Sequence, residues 1–462
     1  MLVSFSVANF RSIAAEETFS MVASQRFPGE HENHAMPIPG SKEKVLRAAV
    51  IYGANGAGKS NLFKALTYLR RLAVVTRKKN AGTRREPFRL GHLEAEPSSF
   101  ELRFIVGGKL YNFGVKVDDE RILEEWLVWI DGNRERPLYE RITKGDGTVE
   151  IDAKGLKPKS KKLDALATVG GPQNQTFLAT IRATLDAADY GDELSAIIDW
   201  FDTRLGLIAP TMKHKRLGHL LVEEPAFMEF ASAFLRDAST GVQSLDVKKK
   251  ELTEEELLEV LPTAIAEKVL KEIEDGESVL VQLSADREIL IERSDKNHYY
   301  MLSIGAEHDH PSGKRVSLKL SEESDGTQRL LNLIPALHRL RTRGGVYVID
   351  EIDRSLHPLL AWQFLDFFLK SCDGDERQII VTTHESNLLD LDLLRRDEIW
   401  FTEKDATGAT HIYSLSDFKI RKDLEVRKHY LDGRFGAIPF LGNLDRLLTP
   451  SKATKAKKAK AK

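Results

Sequence analysis

The stretch Gly53-Ala54-Asn55-Gly56-Ala57-Gly58-Lys59-Ser60 constrains this chain more than any other. It fits G-x-x-x-x-G-K-[ST], a loop whose glycines let successive backbone N–H groups face phosphate oxygens. The mostly apolar run Val45 to Tyr52 leads into it and reads as a buried strand. Asn61 to Leu72 comes next, with Leu62, Ala65, Leu66 and Leu69 on one helical face. The motif thus sits between a strand and a helix N-terminus, whose positive end favours an anion. In that setting Gly53 to Asn61 would cradle the phosphates of a nucleotide. Lys59 would reach the β- and γ-phosphates, and the Ser60 hydroxyl would hold Mg²⁺.

A chain of 462 residues is long enough for two or three domains. An apolar content of 42% and a charged content of 30% describe a globular protein, and a net charge of −2 does not by itself call for nucleic acid or a membrane. One cysteine, Cys372, excludes an internal disulfide and points to a reducing, cytoplasmic location. No run of about 18 apolar residues stands in the sequence, so no membrane span is expected.

Before the loop, Met1 to Ala8 alternates as a strand, and Glu17 to Val22 is expected to pair with it. His31 to Lys44 reads as an exposed loop with solvated histidines, since no further Cys or His stands at ligand spacing from His31 and His34. After the helix comes a basic patch, Arg70-Arg71, Arg77-Lys78-Lys79 and Arg84-Arg85. It reads as a solvated helix end or as a nucleic-acid contact. Phe100 to Val106 and Leu110 to Val117 alternate around Gly107-Gly108, a hairpin, and Ile122 to Ile130 adds a third strand.

Lys154 to Lys162 is a Lys/Pro/Ser-rich break. Helices are expected over Phe177 to Ala188, Asp192 to Leu205 and Pro225 to Asp237. Thr253-x-x-Glu256 is a capping box that opens a further helix. Pro262 splits this helix into two pieces, the second reaching about Glu274. Glu277 to Glu292 and His298 to Ser303 return to strand patterns. The tail, Ser451 to Lys462, holds six lysines among small residues and is expected to be disordered, with electrostatic contact to nucleic acid or an acidic partner as its sharper reading.

Further on, Val316, Leu318 and Leu320 alternate. Glu322-Glu323-Ser324-Asp325-Gly326-Thr327 then opens a helical run to Arg341. Gly345 to Ile349 is an apolar strand that ends in Asp350-Glu351. Two carboxylates at that place can divide the labour: Asp350 can hold the Mg²⁺ shell, and Glu351 can orient and deprotonate the attacking water. Another strand, Gln378 to Thr382, ends in Thr383-His384, where a histidine can reach a γ-phosphate.

This order of motifs resembles that of ABC-type ATPases in their SMC-like branch. Within that branch the chain is similar to bacterial AAA-family ATPases of abortive-infection and OLD-like phage-defence systems. The resemblance rests on Phe5-Ser6-Val7-Ala8-Asn9-Phe10-Arg11-Ser12, on Glu323 to Thr327, on Asp350-Glu351-Ile352-Asp353-Arg354-Ser355-Leu356-His357-Pro358, and on Tyr430 to Pro439. It implies an α/β fold: an ABC-type P-loop ATPase domain, its mixed sheet joined to an antiparallel lobe, carrying an inserted, mainly helical subdomain. The divisions would be 1–130, 131–300 (the insert), 301–448 and the tail 449–462. The resemblance also implies an ATP sandwich, in which Ser324 and Gly326 touch the γ-phosphate of ATP held by the Gly53–Ser60 loop of a second copy. His384 would be the switch histidine. No glutamine is assigned to the lid loop, since Gln173, Gln175 and Gln243 are all poor candidates.

Two functions are compatible with these motifs. One is an ATP-hydrolysing sensor or scaffold, a homodimer or larger ring, that controls a separately encoded effector, often a nuclease in such families. The short stretch after Glu351 carries no further acidic metal cluster, which argues against a fused nuclease. The other is a DNA-repair ATPase that binds DNA through the basic patch. A transporter ATPase is excluded by the length of chain between Ser60 and Ser324.

Overall fold

The computed structural model describes residues 1–78, 81–157, 160–262, 265–266, 278–284, 286–293, 297–372, 376–419 and 425–438. The Lys-rich tail, Pro439 and most of the helical piece expected before Glu274 lie outside these residues.

A parallel sheet forms the centre. Its strands run in the order Leu205–Ile208, Gly345–Ile349, Arg377–Thr383, Ala48–Tyr52, Ile399–Lys404 and Thr410–Ser414, and only the last is antiparallel to its neighbour. Ala48–Tyr52 and Gly345–Ile349 are buried along their whole length. Strands covered on both faces need continuous apolar runs, which is what these sequences supply. Alternate residues face opposite cores. Ala49, Ile51, Val346, Val348 and Ile380 join the core shared with the antiparallel lobe. Ala48, Val50, Ile349, Ile379 and Val381 join the core under the helices Pro225–Asp237, Asp325–Arg343 and Pro358–Lys370.

The antiparallel lobe has seven strands, in the order Val149–Asp152, Arg134–Thr143, Ile122–Asp131, Lys109–Val117, Ser98–Val106, Leu2–Ala8 and Glu17–Ser20. The hairpin at Gly107-Gly108 and the pairing of the first two strands of the chain are as expected. The segment 131–300 contains the expected helices, among them Phe177–Thr184 and Pro225–Asp237. Strands flank them. Arg134–Thr143 and Val149–Asp152 extend the lobe past residue 130, and Val149–Asp152 becomes its edge strand.

A third, antiparallel sheet orders Val242–Leu252, Asn297–Asp309, Arg287–Arg293 and Ser278–Gln282, with Arg315–Lys319 also pairing with Asn297–Asp309. The Thr253 capping box is formed by both of its hydrogen bonds. Asp192 to Leu205 is not one helix. It ends at Asp199, passes through a wide turn at Trp200–Arg204, and Leu205–Ile208 then enters the central sheet beside Gly345–Ile349.

Three local expectations are corrected. His34 is buried, with Nδ1 3.1 Å from Glu398, and His31 stacks on its ring, so the pair fastens the 24–43 loop rather than facing solvent. Arg85 is buried, and its Nε donates to Asp119 at 2.7 Å. Arg70 donates to the Phe201 and Asp202 carbonyls at 2.6 Å. Two members of the basic patch are therefore spent on the fold. Among the described residues, no helix is long and apolar enough to cross a membrane.

Candidate nucleotide-binding site

Three parallel strands, Ala48–Tyr52, Gly345–Ile349 and Arg377–Thr383, end at one edge of the central sheet. That edge is where open α/β sheets bind ligands. It gathers Gly53, Asp350, Glu351 and His384 from three parts of the chain.

Gly53–Gly58 turns into the helix Lys59–Val74. The helix has Gly58 as its N-cap and no side-chain cap, so its first N–H groups stay open to an anion. Gly58 has φ +116°, and a Cβ there would lie 2.2 Å from Thr410 Oγ1. Thr410 donates to the Ala57 carbonyl at 2.9 Å and meets Ser12 Oγ at 2.8 Å. The opening Asn9-to-Ser12 segment therefore buttresses the loop from behind. Asn61 belongs to this buttress: its amide donates to Ser12 Oγ at 2.7 Å. The motif alone places Asn61 in the cradle, whereas in the structure its side chain is engaged with the buttress.

The Lys59 ammonium is buried and donates to the carbonyls of Gly53 at 2.6 Å and Ala54 at 3.3 Å. Burial lowers its pKa, and Asp353, Asp350 and Glu351 offset that through their charge. Ser60 Oγ donates to Asp350 Oδ1 at 3.2 Å. Asp350 is buried, and its Oδ2 has no protein partner among the described residues. A carboxylate oxygen left over beside a hydroxyl is an oxygen-only set that fits a hard divalent cation such as Mg²⁺.

Glu351 is the next residue and has a left-handed conformation, φ +51°. Such a backbone costs about 1–3 kcal/mol and persists only where neighbours fix it. Here Thr382 Oγ1 accepts the Glu351 N–H at 2.8 Å, and the buried Arg329 donates to the carbonyls of Asp350 and Glu351 at 3.4 Å. The Glu351 carboxylate is left partly exposed at the sheet edge, 3.9 Å from Arg354. Thr382 and Arg329 carry no motif of their own in the sequence, although Thr382 adjoins Thr383-His384 and Arg329 adjoins the Ser324–Thr327 segment.

Ser324 caps the helix Asp325–Arg343, accepting the Thr327 N–H at 3.1 Å. Gly326 packs on the loop after Glu351, where a Cβ would fall 2.8 Å from the Ser355 carbonyl. No hydrogen bond within the described chain joins Ser324 or Gly326 to Gly53–Ser60. His384 is about half exposed, with Nε2 3.1 Å from Asp353. Among the described residues, no cluster of three or more His, Cys, Asp and Glu side chains forms a separate metal site.

A phosphate loop and a strand delivering Asp350-Glu351 meet at the edge of one mixed, mostly parallel sheet, with an antiparallel lobe beside it, in an α/β P-loop fold. Solved structures similar to it include an SMC head bound to the C-winged helix domain of ScpA. That head is 14% identical, with 89% of this chain and 97% of that chain covered and a TM-score of 0.42. The SMC head domain from Thermotoga maritima is also 14% identical, covering 91% and 99% with a TM-score of 0.38. The Smc head with an extended coiled coil, bound to the C-terminal domain of ScpA derived from Pyrococcus furiosus, is 12% identical, covering 89% and 96% with a TM-score of 0.37. Among curated proteins, none matches the sequence. One family profile matches residues 48–167 and 219–390, more than half of the chain and including the phosphate loop, Ser324, Asp350-Glu351 and His384. The chain belongs to that family, described as "AAA domain, putative AbiEii toxin, Type IV TA system".

Proposed function

We propose that the protein binds and hydrolyses ATP, dimerises around it, and serves as the sensor or scaffold of an anti-phage, abortive-infection or toxin–antitoxin-like system whose effector is a separate protein, a nuclease in the sharpest form of the reading. One observation carries the ATPase part. The phosphate loop, Asp350-Glu351 and His384 converge on one sheet edge, while Ser324 and Gly326 make no bond to that loop in their own chain. A second copy supplies what is missing. The naming of an AbiEii toxin and a type IV toxin–antitoxin system in the family description supports the defence setting.

In this mechanism the Gly53–Ser60 backbone and Lys59 bind the phosphates of ATP, and Ser60 with Asp350 would hold Mg²⁺. A bound Mg²⁺ would offset phosphate charge. Glu351 takes the proton of the attacking water and aims its oxygen at phosphorus. His384 faces the γ-phosphate from the same edge. Ser324 and the N–H groups at the start of the Asp325–Arg343 helix reach the γ-phosphate of the partner's nucleotide, where a helix N-terminus stabilises negative charge. ATP then holds two copies together and hydrolysis releases them. Direct DNA binding, the competing function, loses Arg70 and Arg85 as contacts because both are engaged inside the fold.

The test is Glu351→Gln, with mass measured by light scattering. It should retain ATP and run as a dimer, and a monomer free of ATP would overturn the sandwich. Co-purification with the products of neighbouring genes tests the effector. A stoichiometric nuclease-like partner supports the scaffold, whereas ATP-dependent capture of DNA alone supports the repair function.

A further inference from the structure

The lobe and the central sheet meet at their edges: Glu17–Ser20 is the last strand of one and Thr410–Ser414 the last strand of the other. His411 joins them. Its Nδ1 is hydrogen-bonded to Glu17 Oε1 at 2.8 Å, and the N–H of the next residue, Ile412, donates to Glu17 Oε2 at 2.9 Å. Its Nε2 is hydrogen-bonded to Asp405 Oδ2 at 3.3 Å, in the turn before Thr410. Asp405 Oδ1 accepts the Thr407 N–H, the Thr407 hydroxyl and the Ala409 N–H at 2.8, 2.7 and 2.9 Å. Thr410, one residue before His411, faces the other way along the strand. Its hydroxyl meets the Ala57 carbonyl and Ser12 Oγ, and its N–H donates to the Ser12 carbonyl at 2.7 Å. The strand that His411 ties on one face thus bears on the phosphate loop with the other.

An ionised carboxylate only accepts hydrogen bonds. A ring bonded to a carboxylate through each of its nitrogens carries a hydrogen on both, which makes it an imidazolium. The bonds to Glu17 and then to Asp405 hold the His411 pKa above the ordinary 6.5. Hydrogen bonds, first that of the Thr407 hydroxyl, lower the Asp405 pKa to about 2. The charges that face the ring are all negative. They are Glu17, Asp405 and the cross-strand Glu403, whose Oε2 accepts the Tyr413 hydroxyl at 3.0 Å and the Ala437 N–H at 3.2 Å. Among the described residues, no lysine or arginine forms an ion pair with Glu17, Asp405 or Glu403, so His411 is their one counter-charge.

We propose that His411 is a proton-operated latch between the two sheets: protonated, it ties Glu17 to Asp405 behind the phosphate loop and keeps Thr410 on Ala57, and deprotonated, it releases the strand, so that the loop binds nucleotide less tightly. The latch rests on this chain alone; its effect on nucleotide rests on the reading of the phosphate loop given above. A histidine whose pKa is raised by folding contributes stability that is complete below about pH 6.5 and is lost as pH rises through the folded value. The latch therefore closes in acid and opens in base.

The experiment uses the full chain with ¹⁵N-labelled histidine, free of nucleotide, with His411→Gln to assign the signal. The ring should titrate above pH 6.5, and Glu17→Gln should lower its midpoint. A midpoint at or below 6.5, or one that Glu17→Gln leaves in place, overturns the latch. Calorimetry with a non-hydrolysable ATP analogue at pH 6 and pH 9 forms the second arm. Over that span the wild type should lose about threefold in affinity relative to His411→Gln, the equivalent of half a pKa unit, and the ratio cancels the titration of the nucleotide itself. A constant ratio beside the expected ring titration overturns the coupling to the loop, and the proposal with it. If neither protein bound the analogue at either pH, the reading of the phosphate loop would fall instead. Urea midpoints then decide the latch: the wild type should lose stability relative to His411→Gln as pH rises, and parallel midpoints overturn it.

Discussion

Thr382 donates its hydroxyl hydrogen to Asp350 Oδ1 at 2.6 Å, and the same hydroxyl oxygen accepts the Glu351 N–H at 2.8 Å. One side chain from the neighbouring strand thus orients the first carboxylate and pins the left-handed backbone of the second. Thr382→Val keeps the shape and removes both bonds. It should cost about 1–3 kcal/mol in stability, the penalty for stranding buried polar partners. ATP turnover should fall more than ATP affinity, because Glu351 loses its anchor. Steady-state kinetics beside a urea titration check this, and a fall in affinity with turnover intact would count against it.

Lys59→Ala should abolish nucleotide binding. The ammonium already sits inside the loop, on the Gly53 and Ala54 carbonyls, and needs little rearrangement to meet a phosphate. Affinity should drop by about a hundredfold or more for the loss of a charged contact to two phosphates. Unchanged binding in calorimetry would overturn the loop assignment.

Gly58 and Gly56 both have positive φ, yet their substitutions should differ. An alanine at either position bears the left-handed penalty of about 1–2 kcal/mol. At Gly58 the new Cβ would also fall 2.2 Å from Thr410 Oγ1, whereas at Gly56 nothing lies within 4 Å. Gly58→Ala should therefore lower the denaturation midpoint more than Gly56→Ala. It should also loosen the Ser12–Thr410–Ala57 chain behind the loop. Equal midpoints would mean that Thr410 moves aside freely.

The buried Glu398 gives a pH signature. Desolvation holds its carboxyl above the ordinary 4.5, and the hydrogen bond and charge of His34 oppose this. A folded pKa raised above the unfolded one gives stability that is complete below about pH 4.5 and is lost as pH rises through the folded value. Glu398→Gln cannot ionise. The stability of the wild type relative to this variant should fall as pH rises from about 5 toward 8. Urea midpoints across that range measure it, and a rising difference would show that His34 outweighs burial.

The sequence carried most of the candidate site in local form. A phosphate loop is written in consecutive residues because its chemistry is backbone chemistry, and Gly53 to Ser60 could be read without a partner in space. Asp350-Glu351 and His384 were legible for a related reason: each closes an apolar run of strand length, and buried parallel strands deliver their last residues to one edge. The hairpin at Gly107-Gly108 and the Thr253 capping box were equally local.

Tertiary structure decided whatever depended on residues far apart in sequence. Leu205–Ile208 is too short to announce itself, yet it lines the edge of the central sheet, and its Ile208 carbonyl accepts the Asp350 N–H at 2.9 Å. His34 looked solvated because Glu398 stands 364 residues away. Asn61 looked like part of the cradle because Ser12, its actual partner, comes from the opposite side of the loop. Composition and periodicity fix which segments form strands and helices. Which buried hydroxyl, carboxylate or imidazole meets which is settled only when packing removes water and leaves each polar group to find its partner inside the fold.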